Sequence, residues 1–523
     1  MTAVSAHTPA AVVPGAEAEH GDAGAARRPE READARAGGA GEAGPLGSTQ
    51  SNFSHPCDSA ELVDRRRVRW AARAALWRAS TLYPVRTCGA RLAPVIDRST
   101  GGAQPVERHA VGVKRSVREG RLVAGYSGLS LCGSVWACPR CSAVVAVHRS
   151  AEIAGAVAEC HRRGGRVHFL TLTLRHRRAD ALADLFDILH AGWHRITSGR
   201  AWAGDPRRGV LGDRDVFGIA GFVRVLEATV SRPGSGGHGW HLHAHVLLFS
   251  VADFSRAVRD DAAIVLGRLF GHPVEIDRAW LGRVLLHCRI AERWACGVQR
   301  AGGRVPGAAA VDLVEIADGG ADFVGRYLAK STYDVATRLG AEVAAGDLTK
   351  SPRDAANTSP FGLLAELVEA GPRFGFRTPR RWEIVTATEG FEVVDLDTGE
   401  AESVRPPGAW RLWSEWEAAT AGRRQLAWAL RPRTVTTARE ALWVALLDAR
   451  GADAEVTDDD LAQREIDGHL LGEIARSAWY ARLVWHPGWL VDLLEAAERG
   501  GRDALTEWCA GHGVDFQASE PVR

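Results

Sequence analysis

The chain has 523 residues, enough for two or three domains with ample core. Apolar residues make up 46% and charged residues 25%, the proportions of a soluble globular protein rather than a disordered or fibrous one. A net charge of +1 excludes a chain that coats polyanions over its whole surface, and no apolar run approaches the ~18 residues of a membrane span.

Residues 1 to about 55 are rich in Ala, Gly, Glu, Arg and Pro, with almost no large apolar side chains. This composition predicts a disordered tail, with no hydrophobic core of a signal peptide. The nine cysteines are odd in number and unevenly placed, which predicts a reducing, cytoplasmic setting rather than a disulfide scaffold. A basic, Trp-containing helix is expected over Glu61–Ser80, and short strands and turns over 85–145 carry four of the cysteines. A helix at Ala143–Arg163 leads to a strand at Val167–Leu174, then to an amphipathic helix at Ala179–Thr197. The strand Phe217–Val230 is expected to form a hairpin with a strand that opens after Gly239. Helices follow at Val251–Leu269 and Trp280–Ala301, then a strand at Ala310–Ile316 and a helix over 321–340. Beyond Pro352 the pattern is mostly helical, with one short hairpin near Trp382–Val404. This order is not doubly wound. It predicts an α+β fold, an antiparallel sheet with helices packed on one face.

The second hairpin strand reads Gly239-Trp240-His241-Leu242-His243-Ala244-His245-Val246-Leu247-Leu248-Phe249. Side chains alternate along a strand, so the three histidines share a face, with neighbours roughly 6–7 Å apart. With 19 histidines in the chain, about 0.7 His-x-His pairs but only about 0.03 His-x-His-x-His runs are expected by chance, so the triple is a metal-site candidate. Glu227, on the preceding strand, can add an oxygen ligand or form a cross-strand salt bridge. Two imidazoles and a carboxylate suit Mg²⁺ or Mn²⁺ when substrate phosphate completes the shell. Tyr327 and Lys330 lie three apart on one face of the 321–340 helix. A tyrosine beside a cation can act as a nucleophile once its pKa of ~10 is lowered, and Lys330 can stabilise the phenolate.

Cys138-Pro139-Arg140-Cys141 has the two-residue gap of a zinc knuckle, and Cys132 lies six residues earlier. A fourth ligand would close a structural Zn²⁺ site. Cys88 is the first choice, with Cys57 and His148 as rivals; reduced cysteines without metal are the alternative. Cys160, Cys288, Cys296 and Cys509 have no partner spacing and are expected in the core.

The order Phe169-Leu170-Thr171-Leu172-Thr173, then His243-Ala244-His245, then Tyr327-Leu328-Ala329-Lys330 resembles the three motifs of the HUH endonucleases. Within these it is most similar to single-tyrosine, rolling-circle plasmid replication initiators of actinomycete type. Cys132–Cys141, Ser359–Leu364 and Gly422–Trp428 extend the resemblance over about residues 85–430. The resemblance implies an HUH, ferredoxin-like nuclease core over 161–345. A cysteine-rich module over 56–160 would precede it, and a mostly helical region over 346–523 would follow. It implies a DNA nicking-joining endonuclease that binds a plasmid double-strand origin and cuts one strand, single-stranded at the nick. The products would be a 5′-phosphotyrosyl link and a free 3′-OH. Tyr327 would be the nucleophile, His243 and His245 the cation ligands, Glu227 the third ligand, and Lys330 a stabiliser. His241 would be a neighbouring support or an alternative ligand. A host helicase and DNA polymerase are implied partners, since no P-loop is present. Where some relatives carry a glutamate four residues before the tyrosine, this chain has Phe323, with Asp322 beside it. Tyr333 is a weaker nucleophile because six residues turn it away from the Tyr327 face.

Cutting DNA requires a grip on phosphates, and Arg175, Arg177 and Arg178 lead the candidates, ahead of Arg65–Arg67 and Arg423-Arg424. Trp410, Trp413 and Trp416 recur every three residues, a spacing better suited to helix core than to base stacking. Two rival readings share these residues: an HUH transposase or relaxase acting on single strands, and a zinc-containing DNA-binding regulator without catalysis.

Overall fold

The computed structural model describes residues 59–97, 104–118, 120–231, 238–317, 357–369, 382–387, 390–395, 401–404, 408–451, 456–464 and 467–520. The expected tail and the 321–340 helix, with Tyr327, Lys330, Tyr333, Asp322 and Phe323, lie outside the described residues.

In chain order the strands are β1 (Val95–Asp97), β2 (Gln104–Val106), β3 (Ala110–Arg118), β4 (Arg121–Ser127), β5 (Arg166–Thr173), β6 (Ile219–Ser231), β7 (Trp240–Ser250) and β8 (Val311–Ile316). They continue as β9 (Asn357–Thr358), β10 (Trp382–Ala387), β11 (Gly390–Asp395), β12 (Ala401–Val404), β13 (Leu426–Trp428), β14 (His469–Ala475) and β15 (Phe516–Ala518). The principal helices are α1 (Ser59–Ala79), α2 (Pro139–Arg162), α3 (Leu182–Thr197), α4 (Ala262–Phe270) and α5 (Arg278–Arg300). After them come α6 (Pro360–Glu369), α7 (Gly408–Thr420), α8 (Ala438–Asp448), α9 (Asp458–Gln463) and α10 (Pro487–Gly511).

The central sheet runs β13-β6-β7-β5-β8, with β9 pairing β6 at the margin, and every pair is antiparallel. The even positions of β7, Leu242, Ala244, Val246 and Leu248, form one core with Leu185, Phe186, Leu189 and Trp193 of α3 and Leu286, Ile290 and Trp294 of α5. On the odd face, Leu247 and Phe249 pack with Val167, Val223 and Val225 against Ile153, Ala156 and Val157 of α2 and Leu442, Trp443 and Leu446 of α8. Helices therefore cover both faces, a correction to the one-face expectation. The reason lies in β7 itself: its odd positions turn from histidine to Leu247 and Phe249, and that apolar half needs its own cover.

Gly221, opposite Phe249, fits this second layer closely. A Cβ there would fall 2.2 Å from the Trp443 ring. At the other end of β7, Gly239 has φ +84°, and a Cβ would stand 2.9 Å from the Arg178 backbone. Only glycine lets the Arg175–Arg178 loop lie that close to the start of the histidine strand.

A second sheet, β15-β14-β3-β4, joins residues 110–127 to 469–518, with α10 packed on it. Arg66 pairs with Glu498 at 2.6 Å, and Arg67 with Asp492 at 2.7 Å, so the basic helix α1 is bound to acidic side chains of α10. The expected hairpin near 382–404 is a three-stranded sheet, β10-β11-β12.

His168, on the even face of β5, is 1% exposed and stacks on Phe254 at 4.1 Å. Burial, aided by the charges of Arg283 and Arg166, depresses its pKa to about 3 from 6.5. Below pH 6.5 the unfolded chain takes up a proton that the folded chain refuses until about pH 3. Its contribution to stability is therefore complete above pH 6.5 and falls as pH drops toward 3. Between pH 7 and pH 5, His168→Leu is expected to lose roughly 1–2 kcal/mol less stability than the parent, measured by urea unfolding.

Candidate metal and nucleic-acid site

The cross-strand register places the site in rows across the odd face. His243 lies opposite Glu227 of β6 and Thr173 of β5, and His245 opposite Val225 and Thr171. One row deeper, Leu247 faces Phe169 and Val223, where the apolar layer begins. Period-2 alternation along β7 thus builds a polar half and an apolar half on one surface. The three imidazoles stack as a near-parallel ladder, with centroids 6.3 Å apart between His241 and His243 and 6.1 Å apart between His243 and His245.

Each ring is held from behind. His243 Nδ1 lies 3.1 Å from Thr173 Oγ1, and His245 Nδ1 lies 3.4 Å from Thr171 Oγ1. His245 Nε2–H donates to Glu227 Oε2 at 3.0 Å, and its ring stacks on Phe169 at 5.4 Å. His241 Nδ1 meets His176 Nε2 at 2.9 Å, and His176 Nδ1 meets the His238 carbonyl at 2.9 Å. Burial lowers the pKa of His176, and burial with the charges of His176 and His243 lowers that of His241 to about 4, so both rings are neutral at pH 7. The tautomers then follow. A carbonyl only accepts, so His176 Nδ1–H donates to His238 and its Nε2 is a lone pair. His241 Nδ1–H donates to that lone pair, leaving His241 Nε2 unprotonated and able to bind a metal. Burial, with the charge of His245, also lowers the pKa of His243.

The fit to a divalent cation can be tested on these distances. Two cis ligands at about 2.1 Å from an octahedral ion stand about 3.0 Å apart, the separation of His245 Nε2 and Glu227 Oε2. Two nitrogens each about 2.1 Å from one ion can be at most about 4.2 Å apart. The 6.1 Å ladder spacing therefore requires the His243 ring to rotate toward its neighbour. Metal binding would displace the proton that His245 Nε2 shares with Glu227.

Sequence reasoning missed several members of this site. His176 sits within the Arg175–Arg178 stretch, and only the loop's return to β7 shows its role. Thr171 and Thr173 carried the motif but not a stated contact. Asp312 of β8 pairs with Thr171 and is exposed, so it continues the His245 row as a second carboxylate. The alternation Val311-Asp312-Leu313 was the available signal.

Arg175, Arg177 and Arg178 follow the end of β5, beside the ladder, with Arg175, Arg177 and Arg178 all reaching solvent. Asp180 braces their loop, accepting from the Arg177 backbone N–H at 2.7 Å and from Arg304 at 2.6 Å. Three of the weaker arginine candidates are engaged elsewhere. Arg66 and Arg67 hold α10 as described, and Arg423 pairs with Asp187 at 2.8 Å over the Phe186 ring. Trp413 and Trp416 are buried, and Trp416 stacks on Trp240 at 5.7 Å, so this stripe is core.

Cys88, Cys132, Cys138 and Cys141 come together, with all four sulfurs within 4.8 Å of one another. Among the described residues no other group of three or more His, Cys, Asp or Glu side chains is gathered so tightly. Cys160 and Cys509 are buried core residues, but Cys288 is exposed, which corrects the expectation of a core position. The buried stripe of α5 is Gly282, Leu286, Ile290 and Trp294, and Cys288 lies off it.

Comparison with known proteins adds a relative. Over 388 residues, 69% of this chain, it is 29% identical to "Protein rep" of Streptomyces lividans, 72% of which is covered. The chain resembles a Rep protein. Over a shorter stretch of 137 residues, 23% of this chain, it is 36% identical to the "Neomycin resistance protein" of Streptomyces cyanogenus, of which the match covers 30%. No family model and no solved structure matches the chain. No described helix is long and apolar enough to cross a membrane.

Proposed function

We propose that the chain is a plasmid rolling-circle replication initiator of the HUH class, a DNA nicking-joining endonuclease. The observation that carries this reading is the braced histidine ladder with Glu227 beside it, on the polar half of a sheet face. The likeness to a Rep protein supports it.

In this reading Arg175, Arg177 and Arg178 grip backbone phosphates of the double-strand origin near the strand to be cut. His243, His245 and Glu227 would hold Mg²⁺ or Mn²⁺, with His241 extending the ligand row. Such an ion, when bound, withdraws charge from the non-bridging oxygens of the scissile phosphate. The Tyr327 phenolate attacks phosphorus, a new P–O bond forms, and the bond from phosphorus to the 3′ oxygen breaks. That oxygen takes up a proton and leaves as a 3′-OH primer, while the 5′ phosphate stays esterified to Tyr327. Lys330, three residues on in the sequence, stabilises the phenolate before attack. Extension by a host polymerase and unwinding by a host helicase complete the proposal.

The deciding experiment uses supercoiled DNA carrying the sequence that flanks the gene, with Mn²⁺ or Mg²⁺ added. Metal-dependent nicks with protein on the 5′ end, lost in Tyr327→Phe, are the expected result. Tight binding with no nicking by either protein would overturn the reading in favour of a non-catalytic DNA-binding regulator. The tautomer chain adds a further expectation: His176→Phe leaves the fold intact and weakens Mn²⁺ binding by roughly 10–100-fold, followed by titration of free Mn²⁺. Unchanged affinity would remove His241 from the ligand set.

A further inference from the structure

We propose that Cys88, Cys132, Cys138 and Cys141 form a closed, structural tetrathiolate zinc site, separate from the nicking chemistry and independent of that reading. The first support is the sulfur geometry. Cys88 and Cys141 sulfurs are 3.6 Å apart, Cys88 and Cys138 3.6 Å, and Cys132 and Cys141 3.7 Å. A tetrahedron with Zn–S bonds of about 2.3 Å has edges of about 3.8 Å. These spacings are far beyond a disulfide bond of about 2.05 Å, and all four cysteines are free. A multi-iron cluster would push its cysteines further apart, because several irons and bridging sulfides stand between them.

Helix polarity supplies the second support. Cys138 caps helix α2 and Cys141 lies in its first turn, so both sulfurs sit at the positive end of a long helix.

Charge balance is the third. Four thiolates around Zn²⁺ leave a net charge of −2, and two cations stand by. Arg73 is 6% exposed, and its guanidinium donates to the Cys88 carbonyl while lying over Trp70. An arginine guanidinium keeps its charge at pH 7 even when buried. Arg140 keeps a buried Nη1 with no hydrogen-bond partner. Without a metal complex beside them, the buried Arg73 guanidinium and the buried Nη1 of Arg140 against four neutral thiols would be costly.

The site has no open position. Leu461 and Ala462 of α9 close it, and Gln463 clasps Leu131, next to Cys132, by accepting from its N–H and donating to its carbonyl. A closed four-sulfur shell is structural rather than catalytic. Its place in the fold explains what it holds. The site fixes the start of α2, whose later turns, Ile153 to Cys160, cover the sheet face next to the histidine ladder.

The test measures metal in the full-length chain, purified under reducing conditions without added metal. One tightly held zinc per chain is expected. It should persist in a His243→Ala, His245→Ala double variant, which separates it from the nicking site. Cobalt exchange should give the intense visible bands of tetrahedral thiolate coordination in that variant. Cys132→Ser is expected to lose the zinc, and Cys288→Ser to keep it. If Cys132→Ser fails to fold, alkylation of the parent protein decides instead. The four thiols should resist iodoacetamide until a chelator is added, as mapped by mass spectrometry. A folded, zinc-free chain with all four thiols freely alkylated would overturn the proposal, as would disulfides among them or iron in place of zinc.

Discussion

Replacing His243 or His245 by alanine is expected to slow nicking by about a thousandfold or more while leaving the protein folded. Lewis-acid stabilisation of a phosphoryl transition state is worth several kcal/mol, and each ~1.36 kcal/mol is a factor of ten in rate. Losing about 4 kcal/mol of it gives that thousandfold. The structural cost should be modest: neither ring is part of the apolar layer under α2 and α8, though His245 is 7% exposed and stacks on Phe169. His241→Ala, one rung further out, should cost less, about 10–100-fold, because it removes the end of the ladder. Single-turnover nicking with saturating protein, over a range of Mn²⁺ concentrations, separates lost affinity from lost chemistry. A His243→Ala rate within tenfold of the parent would sink the assignment of the ladder as the cation site.

The largest stability effect should come from the opposite half of the same face. Trp443 is 1% exposed, its ring lies 5.7 Å from Phe249 and 6.1 Å from Trp428, and its Nε1–H donates to the Leu430 carbonyl at 3.2 Å. It fills the space that Gly221 leaves open on β6. Trp443→Ala deletes that plug from a closely filled layer, so a loss of about 3–5 kcal/mol is expected by urea unfolding. Nicking per folded molecule, measured well below the midpoint, should change little, since the ladder stands at the other end of β7. A loss under about 1 kcal/mol would mean that α8 is not part of this core.

The contrast between these residues shows what could be read before the structure. The ladder was legible because period 2 is written directly into Trp240–Phe249, and Glu227 because a hairpin partner must face it. The antiparallel sheet and its helices followed from the same periodicities, and the Trp413–Trp416 stripe was read as core on spacing alone. Other features depend on contacts between distant segments. Nothing near Cys132 marks Cys88 as its neighbour, so Cys57 and His148 stood as rivals until the sulfurs were placed. His176 reaches His241 only because a loop folds back past Gly239. The second helical layer was missed because Leu247 and Phe249 look like any strand end until α2 and α8 arrive. β14 escaped notice because Gly472 interrupts its pattern, and its partner β3 lies at the other end of the chain.

That distant pairing has a consequence for how the protein is made. β3 is synthesised about 350 residues before β14 reaches it. At 5–20 residues per second the wait is roughly 20 to 70 s, long compared with the folding of a local hairpin. Throughout it the β3–β4 hairpin hangs from the ribosome with one edge unpaired and an apolar face uncovered, a template for any other extended chain. Nascent chains on a crowded polysome carry that same edge many times over. The yield of native protein should therefore depend on chaperone supply and on elongation speed more than on the final stability of the fold.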